Sequence, residues 1–174
     1  AHMGARPSHQ VWQGQIFSRS GKSDKYPDLV EGTGFGTVSG LMGANCRHNY
    51  YGYYEGSPRA YSDKELYAMT DEGGPHIEYE GKTYTYYEAT QKQRQLERAI
   101  ISTKRELIGY DAADDQEAFT EASIKLRGQK KRYMDFSKKA GILPQTEWLH
   151  QDGYDRSLSG KATWAVRKAS TTQS

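Results

Sequence analysis

Residues 87–109 read YEATQKQRQLERAIISTKRELIG. Within this stretch, residues that suit a helix interior recur at steps of four, three and four, at Leu96, Ile100, Thr103 and Leu107. This spacing places the four side chains on one face of an α-helix, because an α-helix has about 3.6 residues per turn. The sequence therefore predicts an amphipathic helix from Tyr87 to Ile108, ended by Gly109.

A second periodic stretch follows a short link at residues 109–114. It runs from Asp115 to Ala140 and is followed by Gly141. One stripe of this predicted helix carries Phe119, Ala122, Leu126, Tyr133, Phe136 and Ala140. Acidic residues lie near its start and basic residues near its end, an order that complements the helix dipole. A short link turns the chain back on itself, so the sequence predicts a long antiparallel helical hairpin over 87–140.

Two shorter elements are predicted upstream of the helical hairpin. Residues 11–17 read VWQGQIF, with apolar residues on both sides of Gly14, and predict a short strand or hairpin. Ser62 and Glu65 have the spacing of a capping box, in which each side chain accepts a hydrogen bond from the other residue's backbone. This pair predicts a short helix over 63–70.

A β-hairpin is predicted directly before the first long helix. Residues 76–79 and 83–86 alternate in polarity and are rich in residues that favour strands, and they flank the turn sequence at 80–82. The predicted fold class is therefore α+β, with a small antiparallel sheet, glycine-rich loops and a long antiparallel helical hairpin.

The predicted elements form one domain over residues 4–168. Ala1-His2-Met3 is interpreted as a cloning remnant. The domain consists of a β- and loop-rich part, the helical hairpin and a C-terminal segment, at 4–86, 87–140 and 141–168. The C-terminal segment is less regular, but we expect it to pack back through Trp148, Leu149, Leu158 and Trp164. Residues 169–174 offer nothing to bury and are expected to be mobile.

The composition excludes several classes of protein. The chain has 174 residues, a hydrophobic content of 35% and a mean hydropathy of −0.94. No segment approaches the roughly 20 consecutive apolar residues of a membrane span, so no membrane contact is expected. The net charge of +2 does not by itself indicate nucleic-acid binding. The glycines between positions 32 and 43 lack a following Gly-Lys-Ser/Thr, which favours turns and close backbone packing over a phosphate loop.

The single cysteine of the chain lies in residues 40–56, which read GLMGANCRHNYYGYYEG. Arg47 and His48 follow Cys46 directly, and a tyrosine-rich segment comes next. One cysteine cannot form an internal disulfide, so the thiol is available for a metal or for chemistry. These residues alone leave three interpretations open: a nucleophile with its base, part of a metal site, or the structural corner of a larger motif.

Three motifs occur in order along residues 4–140. The first contains ARPSH and WQGQIF, the second is NCRH at residues 45–48, and the third is TYxxYEATQxQRxLER at residues 83–98. This arrangement resembles the phage minor capsid protein 2 family, which is related to the head morphogenesis proteins typified by protein F of phage Mu. The residues that carry the resemblance are Arg6, His9, Gly14, Asn45, Cys46, Arg47, His48, Gln91, Arg94, Glu97 and Arg98.

The resemblance implies a minor capsid or head morphogenesis module that acts through protein contacts in the virion head or near the portal. Portal or capsid proteins would be its partners, and it would be located in the virion, or in the host cytoplasm during assembly. The helices and the tyrosine-rich segment are the expected contact surfaces, the latter through Tyr50, Tyr51, Tyr53 and Tyr54.

Some longer relatives carry toxin-like domains, so the alternative function is a phage-linked effector enzyme. It would be an ADP-ribosyltransferase-like transferase, or a cysteine- or metal-dependent hydrolase. Glu78 and Glu80 have the spacing of a transferase glutamate pair, but the other transferase motifs are missing, and we favour a protein that is not an enzyme.

The resemblance implies that His9 belongs to the same candidate site as Cys46. Some relatives have cysteine pairs at the two motifs, where a zinc site is chemically reasonable, and His9, Cys46 and His48 occupy three of those positions, with Arg6 at the fourth. In the catalytic interpretation, Cys46 is a nucleophile and either histidine its base. In the structural interpretation, Cys46 is buried, the histidines form hydrogen bonds, and Arg47 pairs with an acidic residue or the loop backbone. Zinc is thus the cofactor under consideration.

The basic end of the second predicted helix suggests one further partner. Lys130, Lys131 and Arg132 are consecutive, and such a run contacts DNA phosphates in some proteins. A solvated basic face that stabilises the helix end explains the same residues without a partner.

Overall fold

The computed structural model describes residues 1–172. The described part contains one small two-stranded sheet, six α-helices and one 3₁₀ turn. In chain order the elements are α1 (Pro7–Gln10), α2 (Leu29–Thr33), α3 (Asp63–Tyr67), β1 (Ile77–Tyr79), β2 (Lys82–Tyr84), α4 (Tyr86–Ala112), α5 (Gln116–Ala140), the 3₁₀ turn (Thr146–Leu149) and α6 (Arg156–Thr172).

The chain divides into two compact units. The first unit comprises Ala1–Ile77 and Thr83–Glu88, and the second comprises Glu78–Lys82 and the chain from Ala89 onward. The first unit is built mainly from loops and helices of four or five residues. The second unit contains most of α4 together with α5 and α6.

The predicted long helical hairpin is confirmed by α4 and α5. The residues of both predicted apolar stripes are buried. Phe136 is completely buried, and its ring meets that of Tyr79 edge to face, with centroids 5.0 Å apart and planes at 87°. The hairpin therefore forms because two amphipathic helices bury matching faces in one core.

The ends of α5 lie where its capping residues predict them. Asp115 accepts a hydrogen bond from the backbone N–H of Ala118 at 3.0 Å, and Gly141 has a φ of 64°. A side-chain acceptor before the first turn and a left-handed glycine after the last are the usual signals for the two ends of a helix.

The predicted end of α4 at Gly109 is wrong, because the helix continues to Ala112. Glycine inside a helix costs only about 1 kcal/mol relative to alanine. Within the second unit, Lys161 of α6 donates a hydrogen bond to Asp111 at 2.9 Å, which favours the extra helical turn. The chain turns at Asp114 instead, where φ is 54°.

The start of α4 is fixed by a capping box that the sequence analysis missed. Glu88 accepts from the backbone N–H of Thr85 at 2.8 Å, and Thr85 accepts from the backbone N–H of Glu88 at 3.2 Å. The Thr-x-x-Glu spacing was visible in the sequence and is the same signal that identified the cap of α3.

The C-terminal segment is more regular than predicted. Residues Arg156–Thr172 form helix α6, which packs against α5. Its buried face consists of Leu158, Ala162, Ala165 and Val166. The expectation that the segment packs back is thus confirmed, although Trp148 and Trp164 remain 48% and 63% exposed. Of the expected mobile tail, residues 169–172 continue α6, and residues 173–174 lie outside the described residues.

The β-hairpin is confirmed and is shorter than predicted, with three residues in each strand. Glu80 and Gly81 form its turn, with φ values of 49° and 74°. Positive φ at both central residues is typical of a two-residue hairpin turn that matches the twist of the strands.

The strand predicted over residues 11–17 is wrong. The chain makes successive turns after α1, with backbone bonds from Gln13 to Gln10 and from Gln15 to Trp12. Trp12 is 9% exposed and Val11 is 77% exposed. A single buried tryptophan anchors this segment, and its apolar residues do not pair with another strand.

Helix α3 is also shorter than predicted and ends at Tyr67, although its capping box is confirmed.

The first unit has a thin apolar core. Its main cluster consists of Trp12, Leu29 and Leu41, against which Phe17, Phe35 and Cys46 are partly buried. The glycine-rich loop next to this cluster is packed closely against itself, as the sequence predicted. A Cβ atom on Gly40 would lie 1.9 Å from the carbonyl oxygen of Gly34, well inside contact distance.

We expect Gly40→Ala to destabilise the first unit by roughly 1–3 kcal/mol, because the backbone must move to admit the methyl group. Hydrogen exchange of the amides between Thr33 and Leu41 measures the effect within this unit. Gly52→Ala is the matched control, since no heavy atom lies within 4 Å of its added Cβ. Equal protection in the two variants would contradict the close approach.

Candidate functional site

The first residue of the candidate site, His9, is placed by helix α1. Proline at the first helical position starts this helix, and the His9 ring is directed into the first unit, where the residue is 2% exposed. Its Nε2 donates a hydrogen bond to the backbone carbonyl of Ser39 at 2.8 Å. A carbonyl oxygen only accepts, so Nε2 carries a hydrogen, and in the neutral ring Nδ1 carries the lone pair.

Cys46 is placed by the tight loop that precedes it. Asn45 adopts a left-handed conformation with φ of 57°, and the N–H of Ala44 donates to the carbonyl of Val38 at 2.7 Å. The Arg6 guanidinium donates to the carbonyl of Ala44 at 2.8 Å and so ties this loop to the start of α1. Arg6 thus helps to hold the two halves of the site together.

His48 is oriented by Gln13. The His48 Nε2 donates to the amide oxygen of Gln13 at 2.8 Å, and the same oxygen accepts the backbone N–H of His2 at 2.7 Å. Gln13 is 4% exposed, so its orientation is fixed by packing. As in His9, the proton is on Nε2 and the Nδ1 lone pair of His48 is left facing the cysteine.

The three side chains converge on one point. The Sγ atom of Cys46 lies 3.8 Å from His9 Nδ1 and 3.6 Å from His48 Nδ1. All three atoms lie within 4.8 Å of one another, although His9 and Cys46 are 37 residues apart in sequence. The structure therefore brings together the three residues that the sequence analysis singled out.

Aromatic rings enclose this cluster. The Trp12 ring lies 4.6 Å from that of His9 and 4.7 Å from that of His48, measured between centroids. The His2 ring stacks on His48 at 4.4 Å, and its Nε2 is buried without a hydrogen-bond partner among residues 1–172. Burial, with smaller contributions from His2 and His9, lowers the pKa of His48 to about 4, so this ring is neutral at pH 7.

Gln13 and His2 are also parts of the site, although neither was among the predicted site residues. Gln13 lies in the WQG motif, where its position between Trp12 and Gly14 was the available signal. His2 was set aside with the cloning remnant. In the structure, Arg47 is exposed. The arginine that contacts the loop backbone in the structure is Arg6, at the carbonyl of Ala44, and pairing of Arg47 with an acidic residue or the loop backbone stays a prediction.

Gly14 has a conformational role beside the site. Its φ is 64°, and a Cβ at this position would lie 2.6 Å from a methyl carbon of Leu66. The turn that carries Gln13 thus requires a residue without a side chain at Gly14.

The four motif residues of α4 differ in burial: two are exposed, Arg94 is half-buried and Glu97 is buried. Gln91 and Arg98 are exposed. Glu97 is 3% exposed and pairs with Arg94 at 3.1 Å, while the Tyr133 hydroxyl donates to it at 3.1 Å. The Arg94 guanidinium also lies 3.2 Å from the ring centroid of Trp148. Arg94 and Glu97 therefore tie α4 to α5 and to the 3₁₀ turn.

The tyrosine-rich segment 50–54 lies on the surface of the first unit. Tyr50, Tyr51 and Tyr54 are 36%, 73% and 80% exposed. The half-buried Tyr53 donates a hydrogen bond to the carbonyl of Ser57 at 3.2 Å. The segment has no helix or strand, so its rings are presented on a loop.

The basic residues of α5 are partly engaged within the second unit. Arg132 pairs with Glu80 at 3.6 Å, and the Lys130 ammonium lies 5.9 Å from the Tyr154 ring centroid. Lys131 is exposed. These contacts agree with a solvated face that stabilises the helix, and DNA contact through the three residues stays a prediction.

The glutamate pair of the enzyme alternative does not share one strand. Glu78 is in β1, whereas Glu80 is in the turn. No helix within residues 1–172 combines the length and apolar character needed to cross a membrane.

Comparison with known proteins gives a family match. A family model described as Phage minor capsid protein 2 matches residues 1–138, which include both histidines, the cysteine and helix α4. The matched range also includes residues 1–3. No curated protein and no solved structure matches the chain.

Proposed function

The chain belongs to the phage minor capsid protein 2 family, and we propose that it acts in head assembly as a module that contacts portal or capsid proteins. The observation that carries this proposal is the match over residues 1–138, which spans most of the chain and all three sequence motifs. Family membership supports a structural role in the phage. Location in the virion head, and in the host cytoplasm before assembly is complete, is part of the proposal.

The tyrosine-rich segment 50–54 is the proposed contact surface. Tyrosine offers a large apolar ring and a polar hydroxyl, and it is enriched in protein interfaces. Tyr51 and Tyr54 are the most exposed of the four rings. Their side chains have few rotatable bonds, so ordering them in an interface costs little conformational entropy.

A binding measurement with the proteins of the phage that encodes this chain tests the proposal. We expect the purified chain to bind the portal protein or the major capsid protein, and Tyr51→Ser with Tyr54→Ser to weaken binding by about tenfold or more. Biolayer interferometry gives the dissociation constants, and mass spectrometry of purified virions tests whether the chain is incorporated.

Tyr67→Ser is the matched control, because Tyr67 is 57% exposed on the short helix α3 and lies outside the proposed surface. It is expected to bind like the wild type. Absence of the chain from virions together with no binding to either protein would overturn the proposed function. Equal weakening by the control would overturn the assignment of the surface alone.

A further inference from the structure

We propose that His9, Cys46 and His48 bind a zinc ion through Nδ1, Sγ and Nδ1, and that this ion stabilises the first unit. The proposal rests on the geometry of the three side chains and does not depend on the partner in head assembly. The donor set selects the metal: one thiolate and two imidazoles suit zinc, whereas magnesium and calcium prefer oxygen ligands.

The distances between the donor atoms agree with a zinc site. Zinc–sulfur bonds of about 2.3 Å and zinc–nitrogen bonds of about 2.0–2.1 Å at a tetrahedral angle separate sulfur from nitrogen by about 3.5 Å. The observed separations are 3.6 and 3.8 Å. The third separation, between the two Nδ1 atoms, is bounded at 4.8 Å, whereas two zinc-bound nitrogens at a tetrahedral angle lie about 3.4 Å apart. Binding one ion through all three atoms would therefore draw the two rings toward each other.

The hydrogen-bond partners of the two rings also fit a metal site. Each Nε2–H is held by a carbonyl-type oxygen, from Ser39 for His9 and from Gln13 for His48. Histidines that bind metals commonly donate their second ring nitrogen in this way, which fixes the ring and its tautomer. The outer contacts of the site are thus already in place.

Hydrogen bonding alone does not satisfy the cluster. Two Nδ1 lone pairs face one cysteine, whose thiol has a single hydrogen to donate. One of the two nitrogens is therefore left without a donor from Cys46, whereas a zinc ion would accept both lone pairs and the thiolate. The buried His2 Nε2 beside the cluster is a second polar atom without a partner in residues 1–172. Such orphaned atoms mark places where an ion or a water belongs.

The first unit buries little apolar surface, so a bound metal ion would add substantially to its stability. Its main apolar cluster has three buried residues, and its helices have four or five residues each. Small units with thin cores are commonly stabilised by metals, because metal binding and folding are coupled. An ion held by α1 and by the loop at 46–48 would join segments that are far apart in sequence.

Metal analysis of the full chain tests this proposal. We expect about one zinc ion per wild-type chain purified without chelators, and loss of that zinc in Cys46→Ala and in His48→Ala. His76→Ala is the matched control, since His76 is exposed in the same unit and lies outside the cluster, and it is expected to keep zinc. Cobalt substitution provides a direct readout, because a Cys46 ligand gives a thiolate-to-cobalt absorption band.

The wild-type chain gives a second measurement that does not require a variant to fold. Removal of zinc by a chelator is expected to lower the thermal midpoint of the first unit, and added zinc is expected to restore it, while magnesium is not. A folded wild-type chain with neither bound zinc nor a zinc-dependent midpoint would overturn the proposal. Zinc retained by Cys46→Ala, or lost by His76→Ala, would overturn the ligand assignment.

Discussion

Replacing Phe136 with alanine is expected to lower the free energy of unfolding of the second unit by about 3–5 kcal/mol. Phe136 is completely buried, and its ring packs edge to face against Tyr79 at a centroid distance of 5.0 Å. The substitution removes the buried ring and leaves a cavity between the helical hairpin and β1. Urea unfolding followed by far-ultraviolet circular dichroism reports on this unit, because most of the helical residues lie in α4, α5 and α6.

Met134→Ala is the control for this substitution. Met134 lies two residues away on the same helix and is 50% exposed, so its truncation is expected to change the free energy of unfolding by less than about 1 kcal/mol. Similar losses in Met134→Ala and Phe136→Ala would show that α5 does not bury the face described above.

Replacing Glu97 with alanine is expected to cost the second unit about 3 kcal/mol. The carboxylate is 3% exposed, accepts the hydroxyl of the buried Tyr133 and pairs with Arg94. Its removal takes away the acceptor of the Tyr133 hydroxyl and breaks the ion pair with Arg94. The same urea titration measures the change.

Two further variants separate the causes of the Glu97 effect. Glu97→Gln keeps an oxygen that can accept from Tyr133 but removes the charge opposite Arg94, so we expect an intermediate loss. Glu121→Ala removes an exposed glutamate from α5 and is expected to have little effect. If Glu97→Ala is as stable as Glu121→Ala, the contacts of Glu97 with Arg94 and Tyr133 do not stabilise the second unit.

The sequence predicted the helical hairpin well because its signals are local. Residues three and four apart share a helix face, so the apolar stripes of α4 and α5 identify the buried sides without knowledge of the fold. Asp115 and Gly141 mark the ends of α5 through contacts within one turn of the helix. The β-hairpin was predicted for the same reason, since its two-residue turn joins adjacent strands.

The secondary-structure predictions were wrong where contacts between residues far apart in sequence determine the local structure. Gly109 suggested the end of a helix, but the helix continues to Ala112, and Asp111 in its last turn accepts a hydrogen bond from Lys161 of α6. The segment 11–17 contains apolar residues typical of a strand, but Trp12 is buried in a core formed with Leu29 and Leu41. Neither the longer helix nor the turns at residues 11–17 can be predicted from the spacing of apolar residues alone.

For the candidate site, the sequence by itself supplied the donor residues and their order, because His9, Cys46 and His48 belong to recognisable motifs. Only the tertiary structure decided that the three donor atoms meet and that both Nδ1 lone pairs face the thiol. It also showed that Arg6 contacts the loop that carries Cys46 and that Gln13 orients His48. The physical reason is that residue type and helix period act over a few residues, whereas convergence across 37 residues depends on how the intervening loops pack.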